Sequence, residues 1–174
     1  GVPAATGQRF DLARVSRVGR AAGARVGLDL AHAVGNVPLS LHEDGPDFAA
    51  WCSYKYLNGG PGAVAGAFVH ARHHDDGALP RLHGWWGADP ATRFRMSPEF
   101  HPAPGADAWQ LSNAPILSMA PVRVALELFD KAGHAALREK SLALTGYLEE
   151  LLRERLRDRV SIITPADPER RGCQ

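Results

Sequence analysis

In the stretch AAWCSYKYLNGGPGAVAGAFVH one lysine, Lys55, stands between two tyrosines in a run that is otherwise apolar or small. It is one of only three lysines, with Lys131 and Lys140, in a chain whose lysines and arginines total 20. Arginine cannot be deprotonated in a protein and forms no imine, whereas a lysine amine in an apolar setting loses its proton more readily and becomes a nucleophile. Lys55 therefore reads as a residue kept for its amine, against the plainer reading of a surface charge. Asp29, in GLDLAHAVG, is an acid inside a strand-like apolar run, where an unpaired carboxylate is costly. It reads either as a strand-end residue capping a turn or as a carboxylate held against a protonated ring nitrogen. His32 follows three residues later, on the opposite face if the chain stays extended. It is a hydrogen-bonded core histidine or, with Asp29, one edge of a cofactor site.

Tyr54 and Tyr56 flank Lys55, and one hydroxyl can reach a phosphate; Gly59, Gly60 and Gly62 after them read as a turn. His70, His73 and His74 in HARHHDD have spacings a metal can use, but a solvated loop after a strand is the better reading and no metal is expected. Trp85 and Trp86, between Gly84 and Gly87, read as core or interface, or as a binding platform if they stand on an exposed loop. Ser112 and Asn113, ahead of Pro115, make a turn.

The elements that must position these residues follow from periodicity. FDLARVSRVGRAAG spaces apolar residues as a helix does, with Gly23 as its C-cap. ARVGLDLAHAVG, DFAAWCSYKYL and AGAFVH read as strands, the glycines of NGGPGAVAG turning the chain between the last two. Residues 71–115, rich in proline and glycine, read as a long ordered loop of the kind that carries function. Two helices follow, ILSMAPVRVALELFDKAG and HAALREKSLALTGYLEELLRERLRD, the second with Leu137, Leu144, Leu148, Leu151 and Leu152 on one face. The alternation predicts an α/β sheet covered by helices, and in such sheets ligands sit beyond the carboxyl ends of the strands, where Asp29, His32 and Lys55 fall.

Composition excludes several classes. The net charge of +1 with interspersed signs gives no field for nucleic acid, and no apolar run approaches a membrane span. A cytoplasmic location is the default expectation. Cys52 and Cys173 are unpatterned and read as reduced thiols. The chain opens GVPAATGQ and stops at PERRGCQ, just after an apparent strand entry, VSIITP, so both ends read as cut and the chain as part of a longer protein.

GLDLAHAVGNVPLSLHEDGPDFAAWCSYKYLNGGPGAVAGAFVH, followed by GWWG, TRFRM, SNAPI and KSLALTGYLEELL, closely resembles the kynureninase family. The match runs from TGQ to the final PERRGCQ, with VPAA standing where more aromatic residues are expected. The resemblance implies a pyridoxal-phosphate enzyme of the aspartate aminotransferase (fold type I) architecture. Residues 1–115 would be the second half of its large, cofactor-binding domain, and residues 116–174 the connecting helices and the start of a small C-terminal α+β domain. It implies hydrolysis of L-kynurenine or 3-hydroxykynurenine to anthranilate or 3-hydroxyanthranilate plus L-alanine, in tryptophan catabolism and NAD biosynthesis.

Carried over residue by residue, Lys55 resembles the lysine that anchors pyridoxal phosphate. Asp29 matches the partner of its ring nitrogen, His32 a second cofactor contact and Tyr54 the phosphate-binding residue and a proton donor. Trp85 and Asn113 match cofactor-site positions given across a homodimer interface, with Ser112 and Asn113 at the substrate. The family's phosphate loop, ring-stacking aromatic and carboxylate-binding arginine belong to segments outside these residues, so the chain alone is expected to be inactive. Another fold-type-I enzyme, a cysteine desulfurase or aminotransferase, would share Asp29 and Lys55 without needing GWWG and SNAPI. A non-catalytic scaffold would have no use for the lysine.

Overall fold

The computed structural model describes residues 1–174. Helix α1 (Leu12–Ala21) starts where the Asp11 carboxylate accepts the Arg14 N–H at 2.8 Å, and it buries Leu12 and Ser16, one turn apart. Strand β1 (Gly27–Asp29) is only three residues long and pairs in parallel with β2 (Phe48–Trp51), which pairs antiparallel with β3 (Gly66–Val69). The sheet is mixed, in the order β1-β2-β3. A short helix α2 (Leu41–Asp44), not evident from periodicity, precedes β2.

Strand alternation sends Leu28, Ala49, Trp51 and Phe68 to one face, where they pack with Leu12, Leu30, Ala33 and Val37 in a single core. The opposite face, with Gly27, Asp29, Phe48, Ala50 and Ala67, is largely open. The sheet is pinned at its entry by Asp47, which is 4% exposed. Its Oδ2 accepts the Val26 N–H at 2.7 Å, while Oδ1 meets His73 at 2.7 Å and Arg72 at 3.1 Å.

The 71–115 segment is ordered, as its composition predicts. Its strands of loop are tied by Asp89 N–H to the His101 carbonyl and Ala103 N–H to the Gly87 carbonyl, both at 2.8 Å. A side chain at Gly84 would lie 2.2 Å from the Leu111 backbone, so glycine there lets GWWG run against the residues leading into SNAPI.

Helices α3 (Ile116–Ala132) and α4 (His134–Leu156) are joined at Gly133. The leucine face expected on α4 forms no core in this chain: α4 buries no residue, and Leu144 and Leu148 are more than half exposed. VSIITP is likewise not a strand. Residues 160–164 are irregular, because no neighbouring strand offers them a ladder for their backbone groups. The chain then returns to the large unit: Gln8 and Arg171 form an antiparallel bridge, and Gly172 N–H donates to the Gly7 carbonyl at 2.8 Å. Buried Arg171 meets Glu149 on α4 at 2.5 Å, which fixes this return. No helix is long and apolar enough to cross a membrane.

Candidate active site

Both strands that lead to the site stop earlier than their sequences suggest. Strand β2 ends at Trp51, so Tyr54, Lys55 and Tyr56 lie in a bend rather than on alternating strand faces. Strand β1 ends at Asp29, and the chain curls at once, with Ala33 and Val34 N–H groups donating to the Leu30 carbonyl at 2.9 and 3.1 Å. The strand has thus ended between Asp29 and His32, so the condition for their pointing to opposite faces, an extended chain, is not met.

The curl carries His32 to the lysine: His32 Nε2 and Lys55 Nζ are 3.0 Å apart. Gly35, at φ +80°, makes the approach possible, since a side chain there would stand 2.8 Å from the Tyr56 carbonyl group. The Tyr56 ring meets His32 edge-on at 6.1 Å, and burial pushes its hydroxyl pKa up, so it stays protonated at neutral pH. Tyr54 is 55% exposed, its ring 5.7 Å from Lys55 Nζ. On its other side His32 is held by two contacts the sequence did not announce. Gln174 Nε2 lies 2.7 Å from His32 Nδ1, and the Asn36 amide donates to the His32 carbonyl at 2.9 Å.

Asp29 is exposed and needs no cationic partner in this chain, which corrects the reading of it as a buried acid. Its Oδ1 accepts the Ala31 N–H at 2.8 Å, the turn-capping role weighed for it from sequence. It also lines an open apolar trough of about 650 Å³ on the uncovered sheet face, with Gly27, Ala31, Ala50, Cys52 and Ala65.

Trp85, Ser112 and Asn113 are not brought into hydrogen-bond contact with Lys55, His32 or Asp29. Trp85 is 41% exposed and edge-on to Phe94 at 5.6 Å, and Ser112 and Asn113 are exposed. The three histidines of HARHHDD diverge to separate structural partners. His70 Nε2 lies 3.2 Å from the His42 carbonyl, His73 meets Asp47, and His74 lies 3.1 Å from the Val69 carbonyl. No group of three potential ligands forms a metal site.

Asp47, absent from the sequence reading, is the strongest electrostatic feature: burial opposes its charge, but hydrogen bonds from Val26 N–H, His73 and Arg72 outweigh that and hold its pKa below the usual carboxylate value. An acid just before an apolar strand was the available signal. Gln174 carried none, lying 142 residues from His32 along the chain.

Residues 137–174 match the family model for the kynureninase C-terminal domain. Over its whole length the chain is 64% identical to kynureninase from Stenotrophomonas maltophilia and 62% identical to kynureninase from Xanthomonas oryzae pv. oryzae. Along all of its residues it is similar to kynureninases. The chain spans 41% of the length of these two kynureninases.

Among solved structures, the chain superposes on a cysteine desulfurase from Thermococcus onnurineus with a TM-score of 0.75 at 16% identity, over 99% of this chain and 41% of that one. A cysteine desulfurase from Escherichia coli gives 0.65 at 21% identity, over 86% of this chain and 36% of that one. These likenesses establish the fold-type-I α/β architecture expected from the kynureninase resemblance.

Proposed function

We propose that the chain supplies the covalent anchor and part of the proton-transfer machinery of a kynureninase, which hydrolyses the Cβ–Cγ bond of L-kynurenine or 3-hydroxykynurenine to anthranilate or 3-hydroxyanthranilate plus L-alanine. The observation that carries this reading is the 3.0 Å approach of Lys55 Nζ to His32 Nε2 beyond the strand ends, in a chain 64% identical to a kynureninase.

The residues present fit pyridoxal phosphate. Lys55 offers a primary amine, and the open trough between Asp29 and Cys52 is lined by small residues, Gly27, Ala31, Ala50 and Ala65, with Leu28, Phe48 and Trp51, an apolar surface for a flat ring on the sheet face. Asp29 keeps one carboxylate oxygen on the Ala31 N–H, which orients the other to accept a ring N–H. When bound, the cofactor would supply an electron sink for the carbon centre beside the substrate amine. Lys55 Nζ would hold it and then take the substrate Cα proton, and His32 Nε2, within hydrogen-bond reach of Nζ, would keep that amine oriented. Asp29 would keep the ring nitrogen protonated. Tyr54, exposed beside Lys55, would bind the phosphate and is placed to act as a proton donor.

Trp85, Ser112 and Asn113, on exposed segments apart from Lys55, would complete the site of a second subunit in a homodimer, Ser112 and Asn113 on the substrate side. The division into residues 1–115 of a large cofactor-binding domain and 116–174 of connecting helices and a small domain is supported by the start of α3 directly after Pro115. A cytoplasmic location accords with the absence of any membrane-spanning helix.

Borohydride reduction of the full-length protein with its cofactor, followed by peptide mapping, should place the label on Lys55; a label on Lys131 or Lys140 would overturn the assignment. The same preparation should release anthranilate and alanine from kynurenine. Sulfide release from cysteine in its place would favour a cysteine desulfurase.

A further inference from the structure

Lys55 does not stand alone against His32, because the far side of the imidazole is also engaged. Gln174 Nε2 sits 2.7 Å from His32 Nδ1, so the ring bridges the side-chain amide to the lysine amine. The position of Gln174 is fixed by its neighbours. Cys173 N–H donates to Asn36 Oδ1 at 2.9 Å, and the same Asn36 side chain donates to the His32 carbonyl. Asn36 is buried, and a side chain at Gly172 would lie 2.5 Å from its amide nitrogen. The final residues are thus keyed into the turn that carries His32.

We propose that Gln174 is a positioning residue that selects the tautomer of His32 and, through it, favours the free amine of Lys55. The proposal rests on Lys55 being used as an amine. An amide N–H donated to Nδ1 requires Nδ1 to be without a proton, so the neutral ring carries its proton on Nε2. An Nε2–H aimed at Nζ can donate only to a lone pair, which the amine has and the ammonium lacks. The nucleophilic form of the lysine is therefore the one that satisfies the chain of contacts. Gln174 Oε1 is buried without a partner, which marks the alternative: a half-turn of the amide would present Oε1 to Nδ1–H and leave Nε2 to accept from a lysine ammonium. The amide thus has one orientation matched to each proton state of Lys55, and the orientation in this structure matches the amine.

The test uses the full-length protein stripped of cofactor, so it reads the ring and the amine directly and not turnover. Long-range ¹H–¹⁵N NMR of the histidines, with His32 assigned by its loss in His32→Asn, should find the neutral ring protonated at Nε2. Gln174→Glu, whose carboxylate can only accept, should move the proton to Nδ1. In the same variant, labelling of Lys55 by trinitrobenzenesulfonate should fall about tenfold relative to Lys131 and Lys140, the size of one hydrogen bond to a charged group. Gln174→Leu should give a mixture of tautomers and an intermediate rate. A wild-type ring protonated at Nδ1 overturns the proposal without any variant, as does a tautomer indifferent to Gln174→Glu. Borohydride label on another lysine would instead remove the role of Lys55, whatever the tautomer of His32.

Discussion

Asp29 and Lys55 have different reasons to be where they are. In the proposed role the Lys55 amine needs a neighbour to orient it, and His32 lies 3.0 Å away. The carboxylate needs only to be held at the strand end with an oxygen to spare, which the Ala31 N–H secures. If Asp29 keeps a ring nitrogen protonated, Asp29→Asn in the full-length enzyme should lower turnover by more than ~10²-fold, the usual effect of losing one electrostatic stabiliser. Near-normal turnover in that variant would remove the role. Gly35 has no polar group, yet the contact depends on it. Gly35→Ala must adopt φ +80° and push against the Tyr56 backbone, which should cost ~1–3 kcal/mol of stability. Thermal denaturation would measure the loss, and chemical labelling should show Lys55 reacting no differently from Lys131.

At the scale of elements, the short strands depend on side chains that take the place of a longer ladder. Asp47 joins the start of β1 to the 3₁₀ turn after β3 (Ala71–His73), and Glu149, also bonded by Arg153 on its own helix, joins α4 to the returning chain through Arg171. Hydrogen bonds from those two arginines hold the Glu149 pKa below its usual value, as Asp47's partners do for Asp47. A carboxylate whose folded pKa is depressed adds stability that is complete above its unfolded pKa, near ~4, and is lost as pH falls through the folded value. His70, kept neutral by burial and by the nearby Arg72 charge, acts in the same direction, its share fading below about pH 6.5. The melting temperature should therefore fall on acidification in two stages, first below about pH 6.5 and then below about pH 4. Asp47→Asn should lower it at neutral pH and flatten the second stage; an unchanged acid limb in that variant would show that the network is not what acid breaks.

For the whole molecule, the distribution of apolar surface is one-sided. The core lies on the α1 face of the sheet, while Phe48 on the other face and Leu117, Leu128, Leu144 and Leu148 on helices α3 and α4 are each more than half exposed. Trp85 and Asn113 sit on segments that run side by side yet stay apart from Lys55, an arrangement suited to delivery across a subunit boundary. If so, full-length Lys55→Ala and Asn113→Ala chains, each inactive, should regain activity when mixed, because half of the hybrid dimers' sites would draw on two intact partners. Hybrid dimers that form and stay inactive would exclude the shared site.

Element types were legible in the sequence, since they are local: helical spacing marked α1, α3 and α4, and the β-rich runs marked three strands. Strand length was not, because β1 and β2 end where their pairing ends, at Asp29 and Trp51, and pairing is a property of two segments. The leucine pattern of α4 was legible as a face but its partner was not, for a pattern specifies what must be covered and not whether a neighbour covers it. The chain of contacts from Gln174 through His32 to Lys55 joins residues as much as 142 positions apart. No periodicity encodes it. Only the curl after β1, the missing side chain at Gly35 and the return of the last residues past Asn36 bring those three groups within hydrogen-bond reach.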